Sequence, residues 1–312
     1  MEKLTKSPIL EYNPKQVDQV RETFHYNDIK KLYQDLDNFE DWIKKQNHFE
    51  VKEFDRDYLE RFLIASKGSV EIAKKRFDKL CTLRTLMPEF LRNFDVKDEF
   101  SRVVKWNYYC ILPKPTNDNY RVLVTAVHNP DAPDIDMLEL YRFAISLMEY
   151  ILQYDYNAGF EVIFDTRMYT FGVVTKFNPI MLKKCTTIFL EALGFRLKRM
   201  HVISGSKLFD IVFSILKSAL TEKLVKRIIV HDSVESLQNY ISKDILPVDF
   251  GGTEKSLKDI CEATLEEMRK EEHVARLKFL ETAGTDESKR LNQTFNEEYS
   301  GMPGSFKSLC VD

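Results

Sequence analysis

The first third of the chain has apolar residues at helical spacing and lacks the alternating pattern of a strand. Three segments show this spacing: residues 28–46, 55–68 and 70–87. Ser69 is placed to cap the third helix, and Pro88 should end it. These features predict an N-terminal helical module over residues 28–95.

From Tyr120 onward, segments that are apolar on both faces alternate with segments of helical period. The predicted strands are residues 120–127, 159–166, 199–204 and 226–232, and the first two helices between them are residues 134–155 and 178–193. A strand that is apolar on both faces belongs inside a sheet covered by helices. The alternation therefore predicts an α/β fold with a mixed or mostly parallel sheet and right-handed crossovers.

A further apolar helix follows the third predicted strand and lies between two basic clusters. Its apolar residues are Leu208, Phe209, Val212, Phe213, Ile215 and Leu216. The flanking cations are Arg196, Lys198 and Arg199 before it, and Lys223, Lys226 and Arg227 after it. This pattern suits a movable lid that closes over an apolar ligand and rests on an anionic membrane. An ordinary core helix with solvated lysines at its ends has the same pattern.

Charge is distributed unevenly along the sequence. The whole chain has a formal net charge of −3, which gives it no general attraction to nucleic acid. Residues 183–227, however, hold ten Lys or Arg against three Asp or Glu. We expect a basic face there, and an anionic partner for it. The 44% hydrophobic content, with 22 phenylalanines, suffices for a large core or for the lining of a ligand cavity.

The cysteines, the chain start and the apolar runs argue against several classes of protein. Five scattered cysteines without a CxxC pair favour neither a disulfide framework nor a zinc site. The polar first residues do not resemble a signal peptide, and no apolar run approaches the length of a membrane span. We therefore expect a cytoplasmic protein that contacts membranes only transiently.

Signatures of catalysis are missing from the sequence. It has no GxSxG, GxxxxGK[ST], GxGxxG or HExxH motif, and its six histidines lack ligand spacing. His201 and His231 lie on apolar strands, where a hydrogen-bonded core histidine is the expected state. Asp165 follows a buried strand and is expected to start a loop. We predict no enzyme activity, no cofactor and no metal.

Two segments carry a resemblance to a known family. VFSILKSALTEKLVKRI over residues 212–228, followed by ILPVDFGGTE over residues 245–254, resembles the lid helix and the closing turn of the CRAL-TRIO lipid-binding family. The similarity is greatest to its α-tocopherol-transfer-protein-like and retinaldehyde-binding-protein-like branch. Gly251 and Gly252 in this turn are expected to allow a positive φ angle. The resemblance covers roughly residues 30–262.

The resemblance implies a division of the chain into four parts. They are a loosely held arm (1–27), the helical module (28–95), the lipid-binding α/β domain with a helical lid over an apolar cavity (96–262), and a C-terminal helix with a flexible tail (263–312). The module contains LERFLIASK, which is similar to the family's LLRFLRAR-like segment. Arg61 is kept, but Ile64 and Ser66 stand where the family often has arginines, so neither is given a phosphate-binding role.

A ligand pocket is expected where the lid meets the sheet. Phe160, Val162 and Phe164 share one face of their strand because side chains alternate along it. The resemblance adds residues from the long helix, the lid and the segment before it: Tyr141, Ala144, Met148, Leu193, Leu197, Phe209, Val212, Phe213 and Leu216. Ala144 and Met148 stand where relatives have small polar groups. A ligand more apolar than tocopherol, or of different shape, is therefore plausible.

The same resemblance implies a phosphoinositide site on both sides of the lid. Its basic positions fall on Arg196, Lys198, Lys223 and Arg227. A helix continuing through Lys223 and Arg227 would place both on one face. Four such cations could grip a multiply charged phosphate through charge-assisted hydrogen bonds.

These observations support two hypotheses about function. The first is binding and intermembrane transfer of a small hydrophobic lipid (tocopherol, a retinoid, a carotenoid or another isoprenoid), with the lid opening at anionic membranes. The second is a lipid-loaded regulatory module whose charged C-terminal helix, Glu262 to Glu281, binds a protein. The partners expected are thus a lipid ligand and an anionic membrane surface, with a protein partner in the second hypothesis.

Overall fold

The N-terminal part of the protein is helical throughout. We analysed a computed structural model, which describes residues 7–204 and 208–291, apart from the side chain of Phe209. The helices before the sheet are α1 (Gln16–Thr23), α2 (Ile29–Lys45), α3 (Arg56–Ala65), α4 (Val70–Leu86), α5 (Pro88–Leu91) and α6 (Glu99–Val103). The Ser69 hydroxyl accepts the Ile72 N–H and caps α4, and α4 ends just before Pro88. Both predictions for this helix are confirmed.

The described part of the N-terminal arm is packed against the rest of the protein rather than loosely held. Val20 and Tyr26 are buried, and the Gln16 side chain donates to the Tyr156 carbonyl oxygen at 2.7 Å. Arg21 forms an ion pair with Glu60 of α3. These contacts were not predicted from the polar composition of the arm, because a few buried side chains anchor it and it has no apolar stripe.

Five strands form one sheet in sequence order. They are β1 (Asn107–Ile111), β2 (Tyr120–Val127), β3 (Gly159–Asp165), β4 (Leu197–Ile203) and β5 (Ile228–His231). β1 pairs antiparallel with β2, and the other three pairings are parallel. The mostly parallel α/β sheet is confirmed. β1 was not predicted, because its sequence NYYCI has no clear alternation.

Helices cover the sheet and connect its parallel strands. They are α7 (Met137–Tyr154), α8 (Phe171–Val174), α9 (Pro179–Thr187), α10 (Phe209–Ala219) and α11 (Glu222–Val225), followed beyond β5 by α12 (Leu257–Met268) and α13 (Glu271–Thr282). α9 continues into a π-helical turn, Ile188–Ala192. α7 is buried along most of its length, with α3, α5, α6 and α13 packed on it. α10 is the predicted lid helix.

Alternation along β3 separates two hydrophobic cores. Phe160 and Phe164 face the larger core, which includes α7 and α10, whereas Ile163 faces the smaller core beneath α12. In the closing turn, Gly251 has a φ of 70°, as expected. Gly252 is needed for a different reason, because a Cβ there would lie 1.8 Å from the Leu246 carbonyl oxygen. The turn thus brings the backbone of Gly252 against that of Leu246 before α12 begins.

The helix that would have placed Lys223 and Arg227 on one face is interrupted, and the prediction of a single C-terminal helix was wrong. The lid helix does not continue through Lys223, because Leu220 has an extended conformation, and Arg227 follows α11 instead of lying on it. The predicted C-terminal helix is two helices, α12 and α13, separated at Arg269 and Lys270. After the second interruption α13 buries apolar side chains of its own, whereas α11 has no buried residue.

Candidate functional site

Most of the predicted pocket side chains lie in one apolar cluster between the sheet, α7 and the lid α10. The buried members are Tyr141, Met148, Phe160, Phe164, Leu193, Val212 and Leu216. Val162 packs against them while partly exposed, and Ala144 and Leu197 are also buried. The clustering follows from strand alternation in β3 and helical spacing in α7 and α10. Whether these residues line a ligand pocket stays a prediction.

Phe213 on the lid has different surroundings from the buried members of the cluster. Phe213 is partly exposed, and the ammonium of Lys217 lies 4.1 Å from its ring centroid. The Phe209 side chain lies outside the described part of the protein. The buried apolar side chains by which the described part of α10 meets the core are those of Val212, Leu216 and Ala219, which are spaced by four and three positions on one face.

A cavity of about 30 Å³ lies where α3, α7, the start of β3 and the turn before β4 meet. Its apolar walls are Ile64, Met148, Ile151, Leu152, Phe160 and Leu193. Two guanidinium side chains, Arg61 and Arg196, also line it. Sequence reasoning assigned Met148, Phe160 and Leu193 to an apolar pocket and Arg196 to a headgroup site. The structure shows that these four residues share one cavity.

The basic residues beside the lid form a cluster with cations from the helical module. Burial and the nearby charges of Lys223, Arg196, Arg76 and Arg227 lower the pKa of Lys67. We call these five residues the basic cluster. Lys67 and Arg76 were missed from sequence, because they lie far from the lid in the chain. The sequence did contain one signal for this cluster, since Lys67 directly follows the segment LERFLIAS at the end of α3.

Local contacts hold two members of the basic cluster in place. The Arg227 guanidinium donates to the Leu197 carbonyl oxygen, and that of Arg76 donates to the Ala65 carbonyl oxygen at 2.6 Å. These contacts join the segment after the lid to β4, and α4 to the end of α3. The cations are thereby supplied by separate elements that meet at one surface.

Arg196 is a partly buried member of the basic cluster. Its guanidinium lies 4.0 Å from the Phe24 ring centroid, and burial lowers the pKa of Arg196 to about 10. Because it also lines the cavity, Arg196 belongs to the basic cluster and borders the apolar interior. A charge bound at the basic cluster therefore changes the electrostatic potential in the cavity, and a charge in the cavity changes the potential at the cluster.

Lys198, the fourth predicted headgroup residue, has other partners. Its ammonium forms an ion pair with Asp118 at 2.8 Å and lies 4.1 Å from the Tyr120 ring centroid. The hydrogen bond from Lys198 lowers the pKa of Asp118. Lys198 is displaced because β4 is irregular there: Leu197 pairs with Phe160, but Arg199 pairs with the next residue, Glu161. A sequence alignment cannot show this irregularity.

A chain of hydrogen bonds crosses the other face of the sheet. Glu161 lies 2.9 Å from Nε2 of His201, Nδ1 of His201 lies 2.9 Å from Nε2 of His231, and Nδ1 of His231 lies 2.5 Å from the Ser236 hydroxyl. Both histidines are buried, so the prediction of hydrogen-bonded core histidines is confirmed. These hydrogen bonds link β5, the strand that follows the lid, to β3 and β4.

We expect His201→Leu to lower the free energy of unfolding by about 2–4 kcal/mol, because it leaves buried polar atoms of Glu161 and His231 without a partner. Urea unfolding followed by far-UV circular dichroism measures the loss. His25→Asn, at an exposed position with a φ of 65°, is the control and should change little. An equal effect of the two substitutions would show that the hydrogen bonds of His201 contribute nothing to the free energy of unfolding.

Asp165 behaves as the sequence suggested. Its carboxylate accepts the Arg167 backbone N–H at 3.0 Å and forms an ion pair with the Arg167 guanidinium. These contacts start the loop after β3, which is the structural role predicted for Asp165. Among the described residues, no three His, Cys, Asp or Glu side chains are arranged to hold a metal ion.

Exposed apolar side chains occur on the elements around the lid. Phe171 on α8 is 66% exposed, Ile180 on α9 is 47% exposed, and Ile211 on the lid is 44% exposed. α9 packs against the lid, and the Thr186 hydroxyl contacts the carbonyl oxygen of Ala219 at the lid's last residue. Within residues 7–204 and 208–291, each helix is too short or too polar to cross a bilayer.

Comparison with known proteins agrees with this architecture. Residues 105–252 match the family model of the CRAL/TRIO domain, and residues 28–100 match a model described as "Pinta-like, UBA domain". The α-tocopherol transfer protein-like protein of Mus musculus is 23% identical over 222 residues, which cover 70% of this chain and 64% of that protein. Clavesin-1 of Xenopus laevis is 23% identical over 246 residues, which cover 77% of this chain and 74% of that protein.

Among solved structures, the crystal structure of Sfh5 matches with a TM-score of 0.46 at 13% identity, covering 74% of this chain and 91% of that one. The chain spans slightly less than two thirds of the length of the tocopherol-transfer-like relatives. The sheet order, the lid helix and the glycine turn lie inside the matched domain. Residues 105–252 of the chain thus form a region that matches the CRAL/TRIO domain.

Proposed function

We propose that this protein binds a small hydrophobic lipid beneath the lid α10 and exchanges it at anionic, phosphoinositide-containing membranes, without covalent chemistry. The apolar cluster under Val212 and Leu216 supports binding of the lipid, since each buried CH₂ group of a hydrocarbon is worth about 0.8 kcal/mol. Tocopherol, a retinoid, a carotenoid or another isoprenoid are the candidate cargoes. The names of the tocopherol-transfer-like relatives support this class.

The observation that carries the membrane part of the proposal is the basic cluster. Burial, followed by the like charges of Lys223 and Arg196, lowers the pKa of Lys67. Like charges held together disfavour the charged state, and a multiply charged anion between them would relieve the repulsion. The lid lies directly before Lys223 in the chain, so an anion bound there acts on the lid's last turn. Exposed Ile211 and Phe171 offer apolar contact with the membrane surface.

The cluster predicts a specific effect of charge removal. We expect Lys67→Gln/Lys223→Gln to slow transfer of a bound lipid to vesicles containing phosphoinositide by up to roughly tenfold, because two exposed ion contacts are each worth up to about 1 kcal/mol. Transfer to vesicles of neutral lipid should be unchanged. The measurement is the rate at which a fluorescent lipid moves from the protein to acceptor vesicles that carry a quencher.

A charge-matched control separates the cluster from net charge. Lys243→Gln/Lys258→Gln removes two exposed lysines outside the cluster and should leave the transfer rate as it is. Extraction of the purified protein, with mass spectrometry of the captured lipid, identifies the cargo. A protein that captures no lipid from a mixture would overturn the proposal, and equal effects of both double variants would overturn its phosphoinositide part.

The regulatory-module hypothesis gains little from the structure. The apolar side chains of α12 and α13 are largely used inside the protein, with Leu257, Ile260 and Leu265 buried on the first helix and Leu277 and Leu280 on the second. A protein partner would meet mainly their charged faces. Lipid exchange that membranes fail to accelerate would favour this second hypothesis.

A further inference from the structure

Arg61 is a buried cation whose guanidinium lacks a hydrogen-bond partner. The residue is 3% exposed, and its Nε, Nη1 and Nη2 atoms have no hydrogen-bond partner among residues 7–204 and 208–291. A guanidinium carries five N–H donors in a planar fork. Burial of such a group without compensation is among the most costly arrangements in a protein interior. The position therefore calls for an anion.

The carboxylates near Arg61 do not supply that compensation. Oδ2 of Asp57 lies 4.0 Å from Nη2 of Arg61, beyond hydrogen-bond distance, and its side chain is 53% exposed. Asp155 lines the same cavity, but its carboxylate accepts hydrogen bonds at 2.9 and 2.7 Å from Arg121. It also accepts one from the Asn157 amide at 2.9 Å. The charge of Asp155 is thus already balanced by Arg121.

The cavity that Arg61 lines combines this cation with apolar walls. Met148, Phe160 and Leu193 belong to the wall and also to the apolar cluster beneath the lid. A volume of about 30 Å³ is enough for a group the size of a carboxylate, since a water molecule needs roughly 10–15 Å³ on the same measure. An anion carried on a hydrocarbon satisfies both features. Its head would lie at Arg61, and its chain would continue into the apolar cluster.

We propose that the cargo is an acidic lipid, a fatty acid or isoprenoid with a terminal carboxylate, and that Arg61 binds this carboxylate. The proposal rests on lipid binding beneath the lid and narrows its substrate class. A monoanion balances the single uncompensated guanidinium of Arg61, and the planar fork matches a carboxylate through two parallel hydrogen bonds. Arg196 borders the cavity and the basic cluster, so headgroup binding and cargo binding would share one cation.

The test compares an acid with its neutral ester. Binding of cis-parinaric acid and of its methyl ester is titrated by fluorescence to the full-length protein. We expect the acid to bind roughly tenfold to a hundredfold more tightly than the ester, the range for hydrogen bonds to a charged group. Arg61→Met should remove this difference by weakening the acid alone, and Arg61→Lys should keep part of it. Ser66→Ala, at a buried position near the end of the same helix and outside the cavity wall, should preserve it.

Protein stability provides a second, independent readout. Arg61→Met removes an uncompensated buried charge, so without ligand its Tm should equal or exceed that of the unsubstituted protein. The acid should raise the Tm of the unsubstituted protein and leave that of Arg61→Met nearly unchanged. Arg61→Gln, which is neutral but polar, gives the same comparison if Arg61→Met does not fold.

Each outcome decides the proposal. Equal affinity of the unsubstituted protein for acid and ester would overturn it while leaving lipid binding intact. Failure to bind either probe would overturn the proposed function as well. A rise in Tm with inorganic phosphate that Arg61→Met abolishes, without discrimination between acid and ester, would assign the site to a free oxyanion instead of a lipid.

Discussion

Glu149→Ala is expected to lower the free energy of unfolding by about 3–5 kcal/mol, which is a large share of the stability of most proteins. Oε1 of Glu149 on α7 accepts a hydrogen bond at 2.6 Å from Nη2 of Arg84 on α4, and Oε2 accepts one at 3.0 Å from the Tyr58 hydroxyl on α3. Both ion-pair side chains are at most 3% exposed. Removing the carboxylate leaves the guanidinium buried and uncompensated.

The substitution affects more than local packing, because α3 and α4 belong to the helical module and α7 covers the sheet. Burial and the Glu149 charge raise the pKa of the Tyr58 hydroxyl, which favours its protonated, hydrogen-bond-donating form. The network therefore joins the module to the α/β domain through charge. We expect urea unfolding of Glu149→Ala to begin at a clearly lower denaturant concentration.

Two further variants test whether the loss of stability in Glu149→Ala comes from the uncompensated charge of Arg84. Arg84→Met/Glu149→Leu replaces both charges by apolar groups and should be much more stable than Glu149→Ala alone. Asp37→Ala breaks an exposed ion pair with Arg56 and should cost less than about 1 kcal/mol. If the single and double variants at the buried pair were equally unstable, the loss would come from packing and not from an uncompensated charge.

The second large effect is a loss of stability in acid caused by His273 on α13. Burial, followed by the nearby charge of Arg276, lowers the pKa of His273 from 6.5 to about 4. The residue is 2% exposed, and within the described ranges neither ring nitrogen has a hydrogen-bond partner. Its ring packs edge-on against Tyr150 at 5.4 Å between centroids. The folded protein thus holds this histidine in its neutral form.

The sign of the pH effect follows from which state binds the proton more readily. Below pH 6.5 the unfolded chain takes up a proton at His273 that the folded protein takes up only near pH 4. Stability is therefore unaffected by His273 above pH 6.5 and falls as the pH decreases from 6.5 to about 4. The full effect is about 3 kcal/mol, at roughly 1.4 kcal/mol per pH unit.

Unfolding of the protein and of His273→Leu, measured from pH 7.5 to pH 4, isolates this contribution. Other groups titrate in both proteins, so the informative quantity is the difference between the two free energies. We expect the variant to gain relative stability steadily below pH 6.5. Two curves that stay parallel throughout would mean that His273 is protonated in the folded protein too.

Much of the fold could be predicted from local pattern because the signals are local. Strand segments such as GFEVIFDT are apolar on both faces wherever they are buried, and Ser69 and Pro88 act within one turn of their own position. The four strands β2 to β5, the lid helix and the DFGG turn were predictable for this reason. β1 was missed because strand pairing, and not its own sequence, makes it a strand.

The candidate site could be predicted only in part, because its geometry depends on contacts between distant segments. Sequence alone predicted the CRAL/TRIO-like domain, the α/β class and the lid helix, and it showed the concentration of positive charge beside that helix. Only the tertiary structure decided that Lys67 joins Lys223, that Lys198 turns to Asp118, and that Arg61 is buried beside an apolar cavity. The reason is physical: burial and charge compensation are properties of the surroundings in space, which the order of residues does not specify.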